Sequence, residues 1–323
     1  MHHRKKARKG AAQGTAEHDF EQLAVGNAAI LLSTIFWGVN YPFTKALIPA
    51  WMSAGDLAFA RVAGGCLLFW LASLFTKWQT ITAGDMKRLF VGGAVGLFGC
   101  IYLFVVALKY GSPIDISIIM TLPPAYVILM EVLFRGRRPN ILEYSGVVIS
   151  FVGAAIVIMG GHHGDVEGSD FLLGDFIAAL SALCFAIYLV VLSGPTARYR
   201  PLILLRWVFL FGTLPGLFLL PGFLKMPLLE ADAVVPWLEL GFIVFCPTFL
   251  SYLLVQPAQK DLGAMLVSLY QYLTPVVAAI TAILMGLDRL CLVQVLAMLV
   301  IIAGMVMTNI GKKLLERQKR AAA

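Results

Sequence analysis

Ser117, Thr121 and Pro124 stand at i, i+4 and i+7 of one apolar stretch, so two hydroxyls and a proline ring share one face of a helix. Ser268, Tyr272 and Pro275 repeat that spacing 151 residues later. A proline cannot donate the backbone N–H that a helix needs four residues back, so each ring frees a carbonyl and bends the chain. Hydroxyls beside a freed carbonyl, deep in apolar sequence, suit the binding of a polar group and serve as a hinge. The competing expectation is an ordinary kink, since helices in apolar surroundings tolerate prolines.

Further polar or amphipathic residues lie deep in other apolar runs: Trp37, Asn40, Tyr102, Tyr188, Tyr252, Tyr270, Gln271 and Tyr272. Aromatic faces with a few hydrogen-bonding tips fit an organic, partly apolar solute. Tyr and Trp also form interfacial belts, and Trp51, Trp78 and Trp237 fit that description. Tyr41 follows Asn40 directly and is expected to point elsewhere. Arg61 and Arg206 each lie about one turn inside an apolar run. There they would form gate contacts, attract an anionic solute, or extend to lipid headgroups, and the last is the plainer expectation. Lys45 reads the same way. Glu131 is the deepest acid of the first half, but Arg135 at i+4 offers it a helical ion pair.

Enzyme chemistry finds little support. The loops hold no clustered acids and no Ser-His or Cys-His arrangement, so an integral membrane enzyme is a remote alternative. The five cysteines form no CxxC, and the histidines sit at the N-terminus or at His162-His163. No disulfide framework, metal site or cofactor is expected.

The elements that must carry these residues follow from composition. Of 323 residues 60% are hydrophobic and 13% charged, against about 25% charged in a soluble domain. Mean hydropathy is +0.86. A bilayer is the solvent that such a chain requires. Ten stretches have the roughly 20 apolar residues of a membrane helix: 28–47, 56–76, 88–109, 114–134, 141–160, 172–192, 202–222, 234–255, 264–285 and 291–310. The net charge of +7 resides largely in the tails, which points to membrane topology rather than to nucleic acid. With both termini cytoplasmic, twenty Lys and Arg fall on the inner side and three (Lys109, Lys225, Arg289) on the outer, where the 161–170 loop is acidic.

Residues 107–153 laid over 258–304 give eight identities in forty-seven positions, among them Ser117 on Ser268 and Pro124 on Pro275. Tyr102 is matched to Tyr252, Arg61 to Arg206 and Asn40 to Tyr188. Five helices per half is odd, so the second half enters the membrane from the opposite side. The expected fold is all-α integral membrane, ten helices as two inverted five-helix repeats. The divisions are a cytoplasmic basic tail at 1–26, expected to be mobile, repeats at 27–160 and 172–310, and a basic tail at 311–323.

Phe36-Trp37-Gly38 with Asn40, Arg61, Ala107-Leu108-Lys109-Tyr110, Pro124, Pro275, Gly153 and Gly304 come in an order and spacing that resemble the drug/metabolite transporter superfamily, EamA type, over about residues 28–310. The resemblance implies solute export or exchange, with substrates from amino acids to nucleotide-linked metabolites. The chain departs from the family's frequent Gly-Glu after the fourth and ninth helices, reading Gly136-Arg137 and Leu287-Asp288.

The expectation is a secondary transporter in a bacterial inner membrane, moving a small organic metabolite by alternating access. A flippase for lipid-linked substrates is the alternative. Its partners are the solute and the bilayer, with no nucleic acid, and a monomer is expected with a dimer left open. Trp37, Asn40, Tyr102, Thr121, Tyr188, Tyr252, Gln271 and Tyr272 would line the site, Pro124 and Pro275 would be hinges, and Arg61 and Arg206 would be gates.

Overall fold

The computed structural model describes residues 2–136, 139–160, 170–255 and 270–321, with side chains between residues 24 and 315 apart from Arg135. Lys260, Ser268, Arg137-Arg138 and the 161–169 segment lie outside the described residues. The described residues are helical, with no strand among them. Among the described residues nine helices are long and apolar enough to cross a bilayer: α1 Ala24–Leu47, α2 Ala54–Ser73, α3 Ala83–Tyr110, α4 Pro113–Phe134, α5 Ile141–Gly160, α6 Phe171–Arg198, α7 Pro201–Phe223, α8 Val234–Val255 and, last in sequence, α10 Leu292–Leu315. Between the last two lies a shorter apolar helix, α9, Leu273–Leu284, which follows the undescribed 256–269. The protein is an all-α integral membrane protein. The basic 1–26 segment continues the α1 helix back to His2, and the α10 helix runs on to Ala321.

Short polar signals set the helix ends. Ser53 and Asp56 form a reciprocal cap on α2, with Asp56 N donating to Ser53 Oγ at 3.2 Å and Ser53 N to Asp56 Oδ2 at 3.0 Å. Gly136 and Gly286 follow α4 and α9 with φ of 60° and 67°, a left-handed turn that only glycine adopts freely. Lys45, expected to reach headgroups, instead donates from Nζ to the Leu108 and Gly111 carbonyls at 2.8 and 3.0 Å. It closes the C-terminal end of α3, where carbonyls lack helical partners.

Four irregularities interrupt the described helices. Residues Gly92–Leu97 of α3 and Val244–Leu250 of α8 wind in wide π turns, a form that frequently marks functional sites. In α4 the α-helical winding stops at Met120 and resumes at Pro123, and at Tyr272 it breaks again just before α9. Both breaks come shortly before a proline inherited from the repeated pattern, Pro124 or Pro275.

Helices of the two halves pack in matching pairs. α1 lies against α9 as α6 lies against α4, and α1 against α8 as α6 against α3. α2 pairs with α7, and α5 with α10 along its length. Small residues permit the approach: a Cβ at Gly96 of α3 would lie 2.8 Å from Tyr188 Cα, and one at Gly304 of α10 would lie 2.6 Å from the Gly146 carbonyl of α5.

Candidate functional site

A cavity of about 110 Å³ opens among the helices, several times the roughly 10–15 Å³ that one water needs. α1 contributes Trp37, Asn40 and Tyr41; α2 contributes Arg61; α3 contributes Cys100, Ile101 and Phe104. α4 supplies Ser117, Met120, Thr121, Pro123 and Pro124, which are the residues of its break. Phe185 of α6, Tyr252 of α8, and Gln271, Tyr272 and Thr274 at the start of α9 complete the wall. Neither α5, α7 nor α10 lends a described residue to it.

The irregular windings position this lining. Pro247 lies inside the π turn of α8, and its carbonyl accepts from Trp37 Nε1 at 3.0 Å. Thr248, next along, donates to the Ile243 carbonyl five residues back at 2.8 Å and accepts from Arg61 Nε at 3.2 Å. The wide turn thus holds one aromatic and one cation of the cavity wall. Arg61 is 4% exposed, with its guanidinium carbon 5.4 Å from the Phe104 ring centre. Burial rules out the headgroup contact expected from sequence. At the α4 break, Pro123 and Pro124 cannot donate to Ile119 and Met120. The Ile119 carbonyl takes the Leu122 N–H instead at 3.0 Å, and Thr121 Oγ1 donates to the Ile118 carbonyl at 2.7 Å.

Of the sequence candidates, Trp37, Asn40, Thr121, Tyr252, Gln271, Tyr272, Pro124 and Arg61 meet at this cavity. Tyr188 stands one layer back, 4% exposed, its ring parallel to Phe185 at 5.5 Å and edge-on to Tyr252 at 6.1 Å. Tyr102, Pro275 and Arg206 are not in the lining. Tyr102 stacks on Phe98. The repeat offset of 151 lays Ile101, not Tyr102, over Tyr252, and Ile101 does line the cavity. One residue turns a helical side chain by about 100°. Arg206 is 2% exposed among the rings of Trp70, Trp78 and Trp207, at 5.0, 4.0 and 5.7 Å.

Tyr41 corrects a sequence expectation. It lines the cavity beside Asn40 and meets Phe104 edge-on at 5.0 Å. Trp37, Asn40 and Tyr41 are i, i+3 and i+4, one stripe of a helix, so adjacency to Asn40 did not turn Tyr41 away. Cys100, Phe104, Phe185 and Thr274 carry no signal that separates them from core residues in sequence.

A second polar cluster lies at the start of α4. Ser112 Oγ accepts from Ile114 N and Asp115 N, each at 3.2 Å. Asp288 accepts from Ile114 N at 3.2 Å and from the Ser112 hydroxyl. The acid at the position where the resemblance departs from Gly-Glu therefore caps α4. Asp115, 1% exposed, accepts from Gln294 Nε2 of α10 at 2.8 Å. Asp175 of α6 is fully buried, with no hydrogen-bond partner on either carboxylate oxygen among the described residues. Sequence reading passed over both aspartates, although an acid inside a membrane span is itself a signal. Among the described residues no three metal-binding side chains come together.

A bundle of apolar helices around a small polar-aromatic cavity, with its wall broken at prolines, has the build of a membrane transporter. The sequence matches the EamA-like transporter family over residues 24–159 and 172–310, and the chain belongs to that family. It is 26% identical over 276 residues to the uncharacterized transporter YyaM of Bacillus subtilis, covering 84% of this chain and 89% of that one. It is 23% identical to the uncharacterized inner membrane transporter YicL of Salmonella typhimurium, covering 74% and 77%. A crystal structure at 18% identity superposes with a TM-score of 0.59, covering 90% of this chain and 97% of that one, which supports the fold.

Proposed function

We propose that the cavity is the solute site of a secondary transporter that exports or exchanges a small organic metabolite by alternating access. The observation that carries this reading is the lining itself. Trp37, Asn40, Tyr41, Thr121, Tyr252 and Gln271 present aromatic faces and amide or hydroxyl tips to one space, while the winding is interrupted beside it near Thr121 in α4, in α8 and just after Gln271. A solute with one apolar part and one or two polar groups matches such a wall.

Two halves of inverted topology, 27–160 and 172–310, would exchange the exposure of this site. Matching features support that arrangement. The π turns, the proline breaks and the left-handed glycines recur at offsets of about 150 residues. The contacts recur as well: Ser181 Oγ of α6 donates to the Cys100 carbonyl of α3 at 2.8 Å, and Ser251 Oγ of α8 lies 3.5 Å from the Ser33 carbonyl of α1. Cys100 and Ser251 are equivalent at the offset of 151. Loop charge favours both termini on the cytoplasmic side of a bacterial inner membrane. Pro124 and Pro275 act as hinges, and Arg61 closes one wall of the site. In proteoliposomes the chain should transport members of a panel of amino acids and other small metabolites. Transport confined to lipid-linked substrates would overturn the reading.

A further inference from the structure

Arg61 is the cation among the described residues of the cavity wall, and no described residue gives it a counter-charge. The ion pairs among the described residues are those of Asp85 with Arg88 and Arg198, which involve other arginines. Among the described residues Arg61 makes one hydrogen bond, Nε to Thr248 Oγ1, and Nη1 is buried with no partner. Buried charges are otherwise paired and hydrogen-bonded, because an unpaired one is held against its hydration energy. The remainder of the surroundings is aromatic or weakly polar: Phe104 under the guanidinium, with Tyr41, Cys100 and Tyr252 in the same wall.

We propose that Arg61 is the oxyanion-recognising residue of the solute site, and that the transported metabolite carries a carboxylate or phosphoryl group on an aromatic or apolar body. This rests on the reading of the cavity as the solute site. The π turn of α8 fixes Nε through Thr248, so the guanidinium plane is set before the solute arrives. A planar, pre-oriented fork recognises an oxyanion through two parallel N–H donors, which a flexible lysine does not reproduce. The rings of Trp37, Tyr41 and Phe104 would cover the solute's apolar body.

The test uses the purified full chain in detergent and four matched probes: 3-phenylpropionate, phenyl phosphate, phenethylamine and 3-phenylpropanol. Each is scored by the rise in thermal unfolding temperature and by quenching of tryptophan fluorescence. At least one oxyanion should bind about tenfold or more tightly than the amine and the alcohol, and which one it is distinguishes a carboxylate from a phosphoryl solute. Arg61→Gln should abolish that preference, and Arg61→Lys should retain only part of it. The comparison of probes on the unaltered protein needs no variant to fold. Binding of neither oxyanion, or oxyanion binding no tighter than that of the alcohol, overturns the inference. If alcohol and oxyanions bind alike and Trp37→Ala abolishes both, the cavity reading survives while the role of Arg61 does not. If binding ignores both Trp37→Ala and Arg61→Gln, the cavity reading fails as well.

Discussion

Arg61 of α2 and Thr248 of α8 meet across 187 residues of sequence, Nε to Oγ1 at 3.2 Å, where α8 leaves ordinary helical winding. Both are buried, so the bond has no ready replacement in water. Thr248→Val keeps the shape and removes the acceptor. It should destabilise the protein by about 1–3 kcal/mol, the usual result of stranding a buried partner. Thr248→Ser should retain most of the stability. Thermal unfolding of the two variants in detergent checks this, and equal melting temperatures would show that the bond contributes nothing.

Asn40 and Gln271 face the cavity and Tyr102 does not. Once a solute is identified, Asn40→Ala or Gln271→Ala should weaken its binding roughly 5- to 150-fold, from the 1–3 kcal/mol of a lost buried hydrogen bond. Tyr102→Ala should leave affinity unchanged. Isothermal titration of all three settles the point, and an effect at Tyr102 as large as at Asn40 would misplace the site.

Pro124 stands at the α4 break and Pro275 just beyond the α9 break. Replacing either by alanine restores a backbone donor and permits straight winding. The transport rate should fall further than the affinity does. Measuring both in one proteoliposome preparation tests the hinge role, and unaltered transport in both variants would reduce the prolines to tolerated kinks.

Gly146 of α5 and Gly304 of α10 lie against each other, and a Cβ on Gly304 would come within 2.7 Å of Ser150 N. Gly304→Val should therefore force the two helices apart, at about 1–3 kcal/mol or more. Gly136→Ala, at an open turn, acts instead through its positive φ and should disturb only the local turn. Melting temperatures and yield of folded protein distinguish the two.

From the loop charge we expect both termini inside and the 161–170 loop outside. Single cysteines at Gly168 and Ala321, in a background without the native five, should react with an impermeant reagent from opposite faces of sealed vesicles. Reaction of both from the same face would sink the topology.

Composition and hydropathy determined the membrane as solvent, and apolar runs of about 20 residues determined helices as the spanning elements, because hydrocarbon satisfies no backbone hydrogen bond and a helix satisfies its own. Several boundaries read from the apolar runs agree with the structure to the residue, as at the starts of the fifth and eighth helices, 141 and 234, and at the end of the first, 47. The repeated Pro124 and Pro275 likewise announced where helices break. Register within a helix was less legible. Tyr102 and Ile101 are equally plausible in an apolar run, and only the packing of α3 on α6 through Gly96 decides which one turns inward. The π turns have no sequence mark beyond Pro247, yet they set the depth of Thr248 and so the place of Arg61. Asp115 finds its partner in Gln294, 179 residues away. Local pattern specifies which face of a helix is apolar. Which polar groups meet depends on contacts between helices far apart in sequence, and those exist only once the bundle has closed.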